Sequence, residues 1–480
     1  MDEGAGVVML VARKGEVSLL REAYEADESK LVAVYGRRRV GKTYLIRETF
    51  NRRFTFQHTG YANGTTKEEL FVFQASLREA GLDGFESPLN WLEAFELLKD
   101  LIRSSTDERK VIFIDELSWM DTGHGDLMLA LEGFWNGWAS SRTDILLIIC
   151  GSATSWMLNK VVHNKGGLYN RLSLQINLEP FTLAQCEEYA TSMGIDMNRH
   201  QLLECYMIMG GIPFYWGFLK KGLSLAQNVD AIFFARNAPL KDESKYLYAS
   251  LFKHPENHIA IISALGRRRP GMERRELLEA TGMMNSGGFT KKLEELEACG
   301  FIRRYHRYGK RSRNSLYQLT DNFTLFHLKF MDPQPTDEHY WEHQLTAPQR
   351  NAWAGLAFER VCLQHVAQIK RALGISGVLT EVSSWSCEAN ENEGIHGSQV
   401  DLVIARRDQV IDLCEMKYSI DEYVITKKVD EGLRRKASDF RRVTKTRSAV
   451  HTVIVTTYGV RHNAYWGNIQ AEVTAADLFA

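Results

Sequence analysis

Three short apolar runs in the first third of the chain each lead into small or polar residues. The runs are LVAVY at 31–35, VIFI at 111–114 and ILLIIC at 145–150. Continuous apolar character over so few residues is typical of strands buried on both faces of a parallel sheet. A helical pattern follows the first run at 44–50, and a strand-like run, LSLQINL, begins at 172. The pattern predicts an α/β fold class for this part of the chain.

The middle of the chain has a helical pattern. Apolar residues recur at helical spacing through 184–232, and three shorter helical patterns follow at 258–266, 273–282 and 288–300. Residues 301–321 are typical of a two-stranded hairpin that turns near Gly309. Three short helices followed by a hairpin predict a winged helix-turn-helix.

The last third returns to a mixed pattern. Residues 354–373 predict one amphipathic helix, residues 398–419 predict two strands around a polar turn, and residues 451–457 predict another strand. The predicted domains are 1–180 (α/β core), 181–255 (helical), 256–330 (winged helix), 331–350 (connector) and 351–480 (a second α/β domain).

Composition narrows the class of protein. A chain of 480 residues suits several domains, and a net charge of −1 means that nucleic acid would be held only by local basic patches. Seven Cys without a CxxC pair argue against a disulfide framework and favour a reducing compartment. The N-terminus is unlike a secretion signal, and no apolar run approaches the roughly 18 residues of a membrane span. We expect a soluble cytoplasmic protein with no membrane partner.

Residues 36–43 carry the clearest chemical signal. GRRRVGKT fits G-x-x-x-x-G-K-[ST] and lies between a predicted strand and a predicted helix. In such a loop, backbone N–H groups point at phosphate oxygens, the lysine reaches the β and γ phosphates, and the threonine hydroxyl ligates Mg²⁺. The predicted ATP-binding residues are Gly36, Arg37, Arg38, Arg39, Val40, Gly41, Lys42 and Thr43, with Thr43 also a metal ligand.

Further candidates follow the other two strands. Asp115 and Glu116 come directly after 111–114, where acids meet ligands in open α/β sheets. Asp115 is expected to hold Mg²⁺, mostly through water, and Glu116 to polarise the attacking water; alternatively, the pair caps the next helix. Ser152 either senses the γ-phosphate or caps a helix that starts near 154. Arg171 either reaches nucleotide phosphate, in its own subunit or a neighbour, or is a solvated surface residue.

Several segments together resemble a known family. Besides Arg13, Glu16 and GRRRVGKT, they are IDELSWMD at 114–121, LEGFWNGW at 131–138, ICGSATSWM at 149–157, GGLYNR at 166–171, LEPF at 178–181 and GGIPFYW at 210–216. Residues 1–255 thus resemble prokaryotic ATPases of the AAA+/STAND branch, often called archaeal-type. The resemblance implies a P-loop NTPase core with a helical lid, and places Pro213 near the nucleotide base. Ala12 stands where the family usually has a glycine.

The C-terminal third offers a second site. In a strand, residues i and i+2 point to the same face, so Glu415 and Lys417 can share one site. Asp401 can join them if the strands pair, and Glu359 lies on the preceding helix. The carboxylates of Glu359, Asp401 and Glu415 could hold Mg²⁺ or Mn²⁺, with Lys417 orienting water or stabilising charge. A solvated hairpin with an incidental Glu/Lys pair is the alternative.

These residues resemble the PD-(D/E)xK nuclease superfamily. Residues 351–480 look more closely like the C-terminal domain often fused to archaeal-type ATPases, which is related to that superfamily. The resemblance implies a restriction-endonuclease-like α/β domain. Val400 stands where the superfamily's name would place a proline.

DNA is the predicted partner, and two basic segments are candidates to bind it. The hairpin carries Arg303, Arg304, Arg307, Lys310, Arg311 and Arg313 with Tyr305 and Tyr308 between them, and a later helical segment carries Lys427, Lys428, Arg434, Arg435 and Lys436. Either set could hold phosphates. Alternatively, the hairpin packs on an acidic face and the helix has a solvated basic face.

Two functions fit the sequence best. In the first, ATP gates a metal-dependent nuclease that acts on DNA. In the second, the protein is an ATP-dependent switch with a catalytically silent C-terminal interaction module. A transcription regulator that uses only the winged helix is a third alternative. A homo-oligomer is compatible with each of them.

Overall fold

A computed structural model of the chain describes residues 10–123, 125–164, 166–252, 254–267, 271–310 and 315–480. The chain divides into two compact units, Met1–Pro180 and Phe181–Ala480.

The first unit is an α/β fold around one parallel sheet. Its elements are α1 (Lys14–Glu25), β1 (Lys30–Tyr35), α2 (Lys42–Thr49), β2 (Phe56–Thr59), α3 (Thr66–Glu79), α4 (Trp91–Ser104), β3 (Lys110–Asp115), α5 (Leu117–Met120), α6 (Leu127–Gly137), β4 (Ile145–Gly151), α7 (Thr154–Met157) and β5 (Leu174–Asn177). The strand order is β2-β3-β4-β1-β5, and every pairing is parallel. The parallel α/β sheet predicted from the apolar runs is confirmed.

Burial on both faces explains why those runs are continuously apolar. Leu31 and Ala33 of β1 belong to a core cluster with residues of α3, α4 and α6. Val32 and Val34, which alternate with them, are also fully buried. Since parallel strands end at the same edge, the carboxyl ends of β1, β3 and β4 bring residues 36, 116 and 152 to one edge of the sheet.

The second unit begins with helices. They are α8 (Leu183–Ser192), α9 (Arg199–Met209), α10 (Pro213–Trp216), α11 (Leu225–Val229) and α12 (Glu243–Leu251). Short polar side chains begin several of them: Thr182, Asn198 and Ser224 each accept a hydrogen bond from a backbone N–H in the first turn. The helical pattern predicted for 184–232 is present, interrupted by turns.

The next part of this unit combines three helices with a small antiparallel sheet. Its elements are α13 (Glu256–Gly266), β6 (Met272–Glu273), α14 (Arg274–Thr281), α15 (Gly287–Ala298), β7 (Ile302–Tyr305) and β8 (Leu316–Leu319). The strand order is β6-β8-β7. This arrangement is compatible with a winged helix, and that assignment stays a prediction.

A five-stranded mixed sheet organises the rest of the unit. The elements are α16 (Asn322–Phe330), α17 (Tyr340–His343), α18 (Pro348–Gln364), α19 (Val366–Ala372), β9 (Thr380–Asn390), β10 (Ile395–Arg406), β11 (Val410–Lys417), α20 (Lys427–Thr444), β12 (Ala449–Thr456) and β13 (Ala471–Thr474). The order is β13-β12-β11-β10-β9; β9, β10 and β11 pair antiparallel, and β11, β12 and β13 pair parallel. The nuclease-like assignment of this domain stays a prediction.

The prediction of a single helix over 354–373 was wrong. The helix is interrupted at His365, which lies between α18 and α19. This residue ends α18 and is almost completely buried. Its Nδ1 donates to the Val361 carbonyl at 2.8 Å, and its Nε2 accepts from the Leu183 backbone N–H at 3.2 Å. The break lets the imidazole join α18 to the start of α8.

The segment predicted as a connector, 331–350, is a packed part of the unit. It contains α17, whose Trp341 is 1% exposed. The ring of Trp341 lies 5.0 Å from that of Phe330 and 5.7 Å from that of Trp353. Aromatic burial therefore fixes this segment, which its prolines and polar residues did not indicate.

Within the described residues, no helix has the length and apolar character that crossing a membrane requires. Helix α20, with 18 residues, instead carries exposed lysines and arginines.

Candidate functional site

The loop at 36–43 depends on glycine at two positions. Gly36 has φ +142°, and a Cβ there would lie 2.4 Å from the carbonyl oxygen of Leu178. Gly41 has φ +91° and directly precedes α2. Both values lie where side chains other than glycine are strained. The motif's glycines therefore permit the sharp path from β1 into α2.

Lys42 lies inside the loop. It is 5% exposed, and its Nζ donates to the carbonyl oxygens of Gly36 at 2.9 Å and Arg37 at 3.1 Å. The ammonium also interacts electrostatically with the Glu116 carboxyl, and its hydrogen bonds go to neutral carbonyls, so it can still attract the negative charge of a phosphate. The lysine is therefore placed as a phosphate-binding loop requires.

Thr43 and Asp115 meet across the sheet edge. The hydroxyl of Thr43 donates to Asp115 Oδ2 at 2.7 Å. The other oxygen, Oδ1, accepts from the backbone N–H of Glu116 at 3.0 Å. A hydroxyl and a carboxylate at this distance form an oxygen donor set of the kind that Mg²⁺ prefers.

Glu116 is held by Ser152. Its Oε2 accepts from the Ser152 backbone N–H at 2.9 Å and from the Ser152 hydroxyl at 2.8 Å. Burial raises the pKa of the Glu116 carboxyl above its ordinary value, while Lys42 and the Ser152 hydrogen bonds act to lower it. This carboxylate is in position to accept a proton from water at the sheet edge.

The capping alternatives for these residues are not supported. Glu116 precedes α5 and has φ +48°, but its side chain makes no cap hydrogen bond there. The residue that precedes α7 is Ala153 rather than Ser152. Instead, the Ser152 hydroxyl donates a hydrogen bond to Glu116, which directly follows the neighbouring strand β3.

Arg13 contacts the loop through a backbone carbonyl and is buried beside it. It is 4% exposed, and its Nη2 donates to the carbonyl oxygens of Glu179 at 2.7 Å and Val40 at 3.4 Å. Its Nη1 contacts Glu16 at 3.2 Å. Ala12, just before it, has φ +62°, a conformation that favours glycine and so matches the residue usual in the resembling family.

The remaining predicted nucleotide residues differ in environment. Arg37 is buried, Arg38 and Arg39 are half-buried, and Val40 is buried. Arg171 is exposed, and its position leaves both of its predicted roles open. Pro213 begins α10 in the second unit, not in the first.

In the C-terminal sheet, Glu415 is the centre of an ionic cluster. Its Oε1 contacts Lys417 Nζ and its Oε2 contacts Lys436 Nζ, both at 2.7 Å. Met416, between them in β11, is buried on the opposite face, as the strand alternation predicts. Burial would raise the pKa of Glu415, but Lys436 and Lys417 outweigh it, so that pKa is lowered.

The other two predicted metal ligands are less closely grouped. The β10–β11 register ends at Leu402↔Cys414, one residue short of Asp401 and Glu415, and the Asp401 carboxylate accepts from Gln399 Nε2 at 2.6 Å. Glu359 on α18 is 7% exposed. Among the described residues, the three carboxylates do not form a group whose ligand atoms all lie within 4.8 Å.

The sequence analysis did not predict the contact between Lys436 and Glu415. The sequence placed Lys436 among basic residues that could line a phosphate backbone, not beside Glu415. A signal was present: Leu433, Ala437 and Phe440 form the buried stripe of α20, and Lys436 lies beside that stripe. The other four basic residues that were predicted to line a phosphate backbone are exposed; they are Lys427, Lys428, Arg434 and Arg435.

The predicted basic hairpin packs on the C-terminal sheet. The Tyr308 backbone N–H donates to the carbonyl oxygen of Ser384 in β9 at 2.7 Å. The Ser384 backbone N–H donates to the carbonyl oxygen of His306 at 3.2 Å. The Tyr308 ring lies 5.1 Å from that of Phe440 on α20. One edge of the hairpin is therefore a packing element.

Some basic side chains of the hairpin are bonded to other residues of the protein, and others are exposed. Arg303 donates to Gln318 at 2.8 Å, and Arg307 pairs with Glu273 at 2.7 Å. Arg304 and Lys310 are exposed. Arg311 and Arg313 lie outside the described residues.

Comparison with known proteins finds a family match over the part of the chain that contains the loop at 36–43. Residues 10–217 match the family model of an ATPase domain predominantly from Archaea. The match contains the loop, Asp115, Glu116 and Ser152, and reaches Pro213. This part of the chain is therefore similar to archaeal-type ATPase domains, and the match supports ATPase activity.

Individual relatives are distant over the whole chain. An uncharacterized protein of Methanocaldococcus jannaschii, MJECL04, is 23% identical over 444 residues, which cover 89% of this chain and 92% of the relative. An uncharacterized ATP-binding protein of that organism, MJ0423, is 46% identical over 43 residues, or 9% of this chain and 73% of the relative.

Similar solved structures include two archaeal proteins. The Walker-type ATPase PABY2304 of Pyrococcus abyssi has a TM-score of 0.48 at 18% identity, covering 67% of this chain and 96% of that one. The ORC2 protein of Aeropyrum pernix has a TM-score of 0.41 at 14% identity, covering 76% and 98%.

Proposed function

We propose that the archaeal-type ATPase domain binds ATP with Mg²⁺ and hydrolyses it, and that the chain uses this reaction to act on DNA through its C-terminal half. The observation that carries the first part is the hydrogen bond from Thr43 to Asp115 beside the buried Lys42. These three groups, from the loop and from β3, supply the phosphate-binding charge and the oxygen ligands of a Mg-nucleotide site.

The residues of the site divide the chemistry among them. Loop N–H groups and Lys42 bind the phosphates. Thr43 and Asp115 would hold Mg²⁺, which would supply charge neutralisation. Glu116 takes the proton of the attacking water, for which it must exchange its contacts with Ser152. The Ser152 hydroxyl is then available to the γ-phosphate. Arg171 is proposed as a further phosphate contact and Pro213 as a neighbour of the base.

An ATP hydrolysis assay tests this part. Lys42→Ala and Glu116→Gln are expected to reduce phosphate release to background, with nucleotide binding retained in Glu116→Gln alone. Lys67→Ala is the control, because Lys67 is exposed on α3 of the same unit. Wild-type turnover in Lys42→Ala would overturn the proposal.

For the C-terminal half we propose a metal-dependent nuclease site that ATP gates. Support comes from Glu415 and Lys417 on one face of β11, with Asp401 one residue beyond the end of the β10–β11 register. Together with Glu359 these groups offer oxygen ligands for Mg²⁺ or Mn²⁺, and a lysine to stabilise charge at a phosphodiester.

One observation favours the second candidate, a silent interaction module. Both oxygens of Glu415 contact lysines, so the protein itself neutralises the carboxylate that a metal would need. In that case the domain would bind a partner without cleaving it.

A cleavage assay separates the two candidates. Plasmid, linear and single-stranded DNA would be incubated with Mg²⁺ or Mn²⁺, with and without ATP. Cutting that is lost in Lys417→Ala but kept in Lys428→Ala, an exposed lysine of α20, supports the nuclease; its loss in Lys42→Ala supports gating. No cutting under any condition, with ATP hydrolysis intact, supports the silent module.

A further inference from the structure

A second group of metal-ligand side chains lies in the second unit, outside both sites described above. It consists of Asp230, His339 and Glu342, here called the 230/339/342 cluster. One ligand atom from each residue lies within 4.8 Å of the others, and the described residues hold no other such group of three or more His, Cys, Asp and Glu. The three come from two elements: Asp230 starts a helical turn after α11, and the other two belong to the segment around α17.

The buried member of the cluster is held in place by the backbone. Asp230 Oδ1 accepts from the Trp341 N–H at 2.7 Å, and Oδ2 accepts from the Glu342 N–H at 3.1 Å. Because a carboxylate oxygen has two acceptor positions, each oxygen keeps one for another partner. Trp341 packs against Phe326 and Phe330, so the backbone N–H that binds the Asp230 carboxylate is held in a fixed position.

The exposed His339 and the half-buried Glu342 face each other. His339 Nδ1 lies 3.0 Å from Glu342 Oε2, at the i and i+3 spacing that puts side chains on one helical face. Their side chains are 69% and 34% exposed, which leaves them room to adjust. A zinc-type ion needs ligands at about 2.0–2.2 Å, so closing the cluster around one requires movements of about an ångström.

Charge also favours a cation here. Asp230 is 4% exposed, and the Glu342 carboxylate lies beside it in the cluster. In the described part of the chain, Asp230 has no ion pair with a lysine or arginine. Two carboxylates beside an imidazole therefore lack a fixed counter-charge, which a divalent ion would supply.

We propose that the 230/339/342 cluster binds a divalent transition-metal ion of the zinc type. The imidazole selects such an ion over Mg²⁺, which prefers oxygen ligands alone, and water would complete the coordination. The bound ion links the turn at Asp230 to α17 and stabilises this part of the second unit. This role is independent of ATP and of Glu415.

Cobalt binding tests the proposal directly. Full-length protein without an affinity tag, stripped with EDTA and free of nucleotide, would be titrated with Co²⁺ and followed by visible absorption. A site with a histidine and low coordination absorbs strongly, whereas the all-oxygen site proposed at Glu359, Asp401 and Glu415 gives only weak absorption. We expect a strong band that Zn²⁺ abolishes.

Variants locate the ion. His339→Gln and Glu342→Gln are expected to lower Co²⁺ affinity at least about tenfold. His343→Gln is the matched control, because His343 lies on the same short helix and pairs with Asp337 at 2.7 Å outside the cluster. Zn²⁺ should raise the melting temperature of wild type and His343→Gln but not of His339→Gln. Absence of the band in wild type, or equal affinity in His339→Gln and His343→Gln, would overturn the proposal.

Discussion

Ser152 donates two hydrogen bonds to one oxygen of Glu116, from its backbone N–H at 2.9 Å and from its hydroxyl at 2.8 Å. The two residues follow neighbouring strands, β3 and β4, so the parallel sheet itself brings them together. In this arrangement the proposed catalytic base is engaged by the residue proposed to sense the γ-phosphate. Hydrolysis would therefore depend on how strongly Ser152 holds the carboxylate.

Ser152→Ala should slow hydrolysis and change its pH dependence. In the proposed mechanism the Ser152 hydroxyl hydrogen-bonds to the γ-phosphate once Glu116 has released it. A hydrogen bond to a charged group contributes about 1.5–3 kcal/mol, so kcat should fall about tenfold or more when that bond is lost. The Ser152 bonds lower the pKa of Glu116, and removing one raises it. Since the base must be ionised, activity is lost as pH falls through that pKa, and the acid limb of the pH–rate profile should move to higher pH. Ser155→Ala, on α7, is the control; an unmoved acid limb in Ser152→Ala would contradict this account.

The hydroxyl of Thr43 should set the requirement for Mg²⁺. Thr43→Ala removes a proposed metal ligand and leaves Asp115 without its 2.7 Å partner. We expect the Mg²⁺ concentration for half-maximal hydrolysis to rise at least about tenfold, whereas Thr43→Ser, which keeps the hydroxyl, stays near wild type. Equal Mg²⁺ dependence in the two variants would show that the hydroxyl does not bind the ion.

The arrangement of residues at the edge of the parallel sheet was largely predictable from sequence, because its parts are local or follow from one rule. Residues 36–43 form a contiguous motif, and the carboxyl ends of parallel strands share an edge, which brings Asp115 to Thr43. The contact of Lys436 with Glu415 was only partly predictable: the apolar stripe of α20 shows which face packs on the sheet, but the docking angle that brings Lys436 to Glu415 leaves no mark in the sequence. The hairpin contact at Ser384 was missed for a similar reason: it joins residues far apart in the chain.

Ala12 offers a test of backbone strain. With φ at +62°, its Cβ costs roughly 1–2 kcal/mol, partly offset by the greater freedom of glycine in the unfolded chain. Ala12→Gly should therefore raise the free energy of unfolding of the first unit by up to about 1 kcal/mol. Ala26→Gly, at φ −67°, should lower it. Calorimetry of both variants gives the comparison, and destabilisation by Ala12→Gly would contradict the strained conformation.

Lys436 should compete with metal for Glu415. The two are 2.7 Å apart and partly exposed, so the pair contributes about 1 kcal/mol at most. Lys436→Met removes the competing ammonium, and Mn²⁺ affinity measured by electron paramagnetic resonance should rise by up to about fivefold. Arg435→Met, at an exposed position of α20, should leave it unchanged. A fall in affinity in Lys436→Met would mean that the lysine supports the metal site instead.

The division of the hairpin into packed and exposed basic residues predicts which of them contact DNA. Arg304 and Lys310 are exposed, and the ion pair of Arg304 with Glu297 is long, at 3.9 Å, whereas Arg307 pairs with Glu273 at 2.7 Å. Each phosphate contact contributes about 0.9 to the slope of log affinity against log salt concentration. Arg304→Ala combined with Lys310→Ala should therefore reduce that slope by about 2, with melting temperature unchanged.

The matched control for the hairpin is a double variant of exposed basic residues in the first unit, Arg53→Ala with Lys67→Ala. Fluorescence anisotropy with duplex DNA at several salt concentrations gives both slopes. Tyr308→Ala separates packing from binding, because it removes the ring that lies 5.1 Å from Phe440 and should lower thermal stability. If the double variant at Arg304 and Lys310 keeps the wild-type slope while Tyr308→Ala destabilises the unit, the hairpin is a packing element and DNA must bind elsewhere.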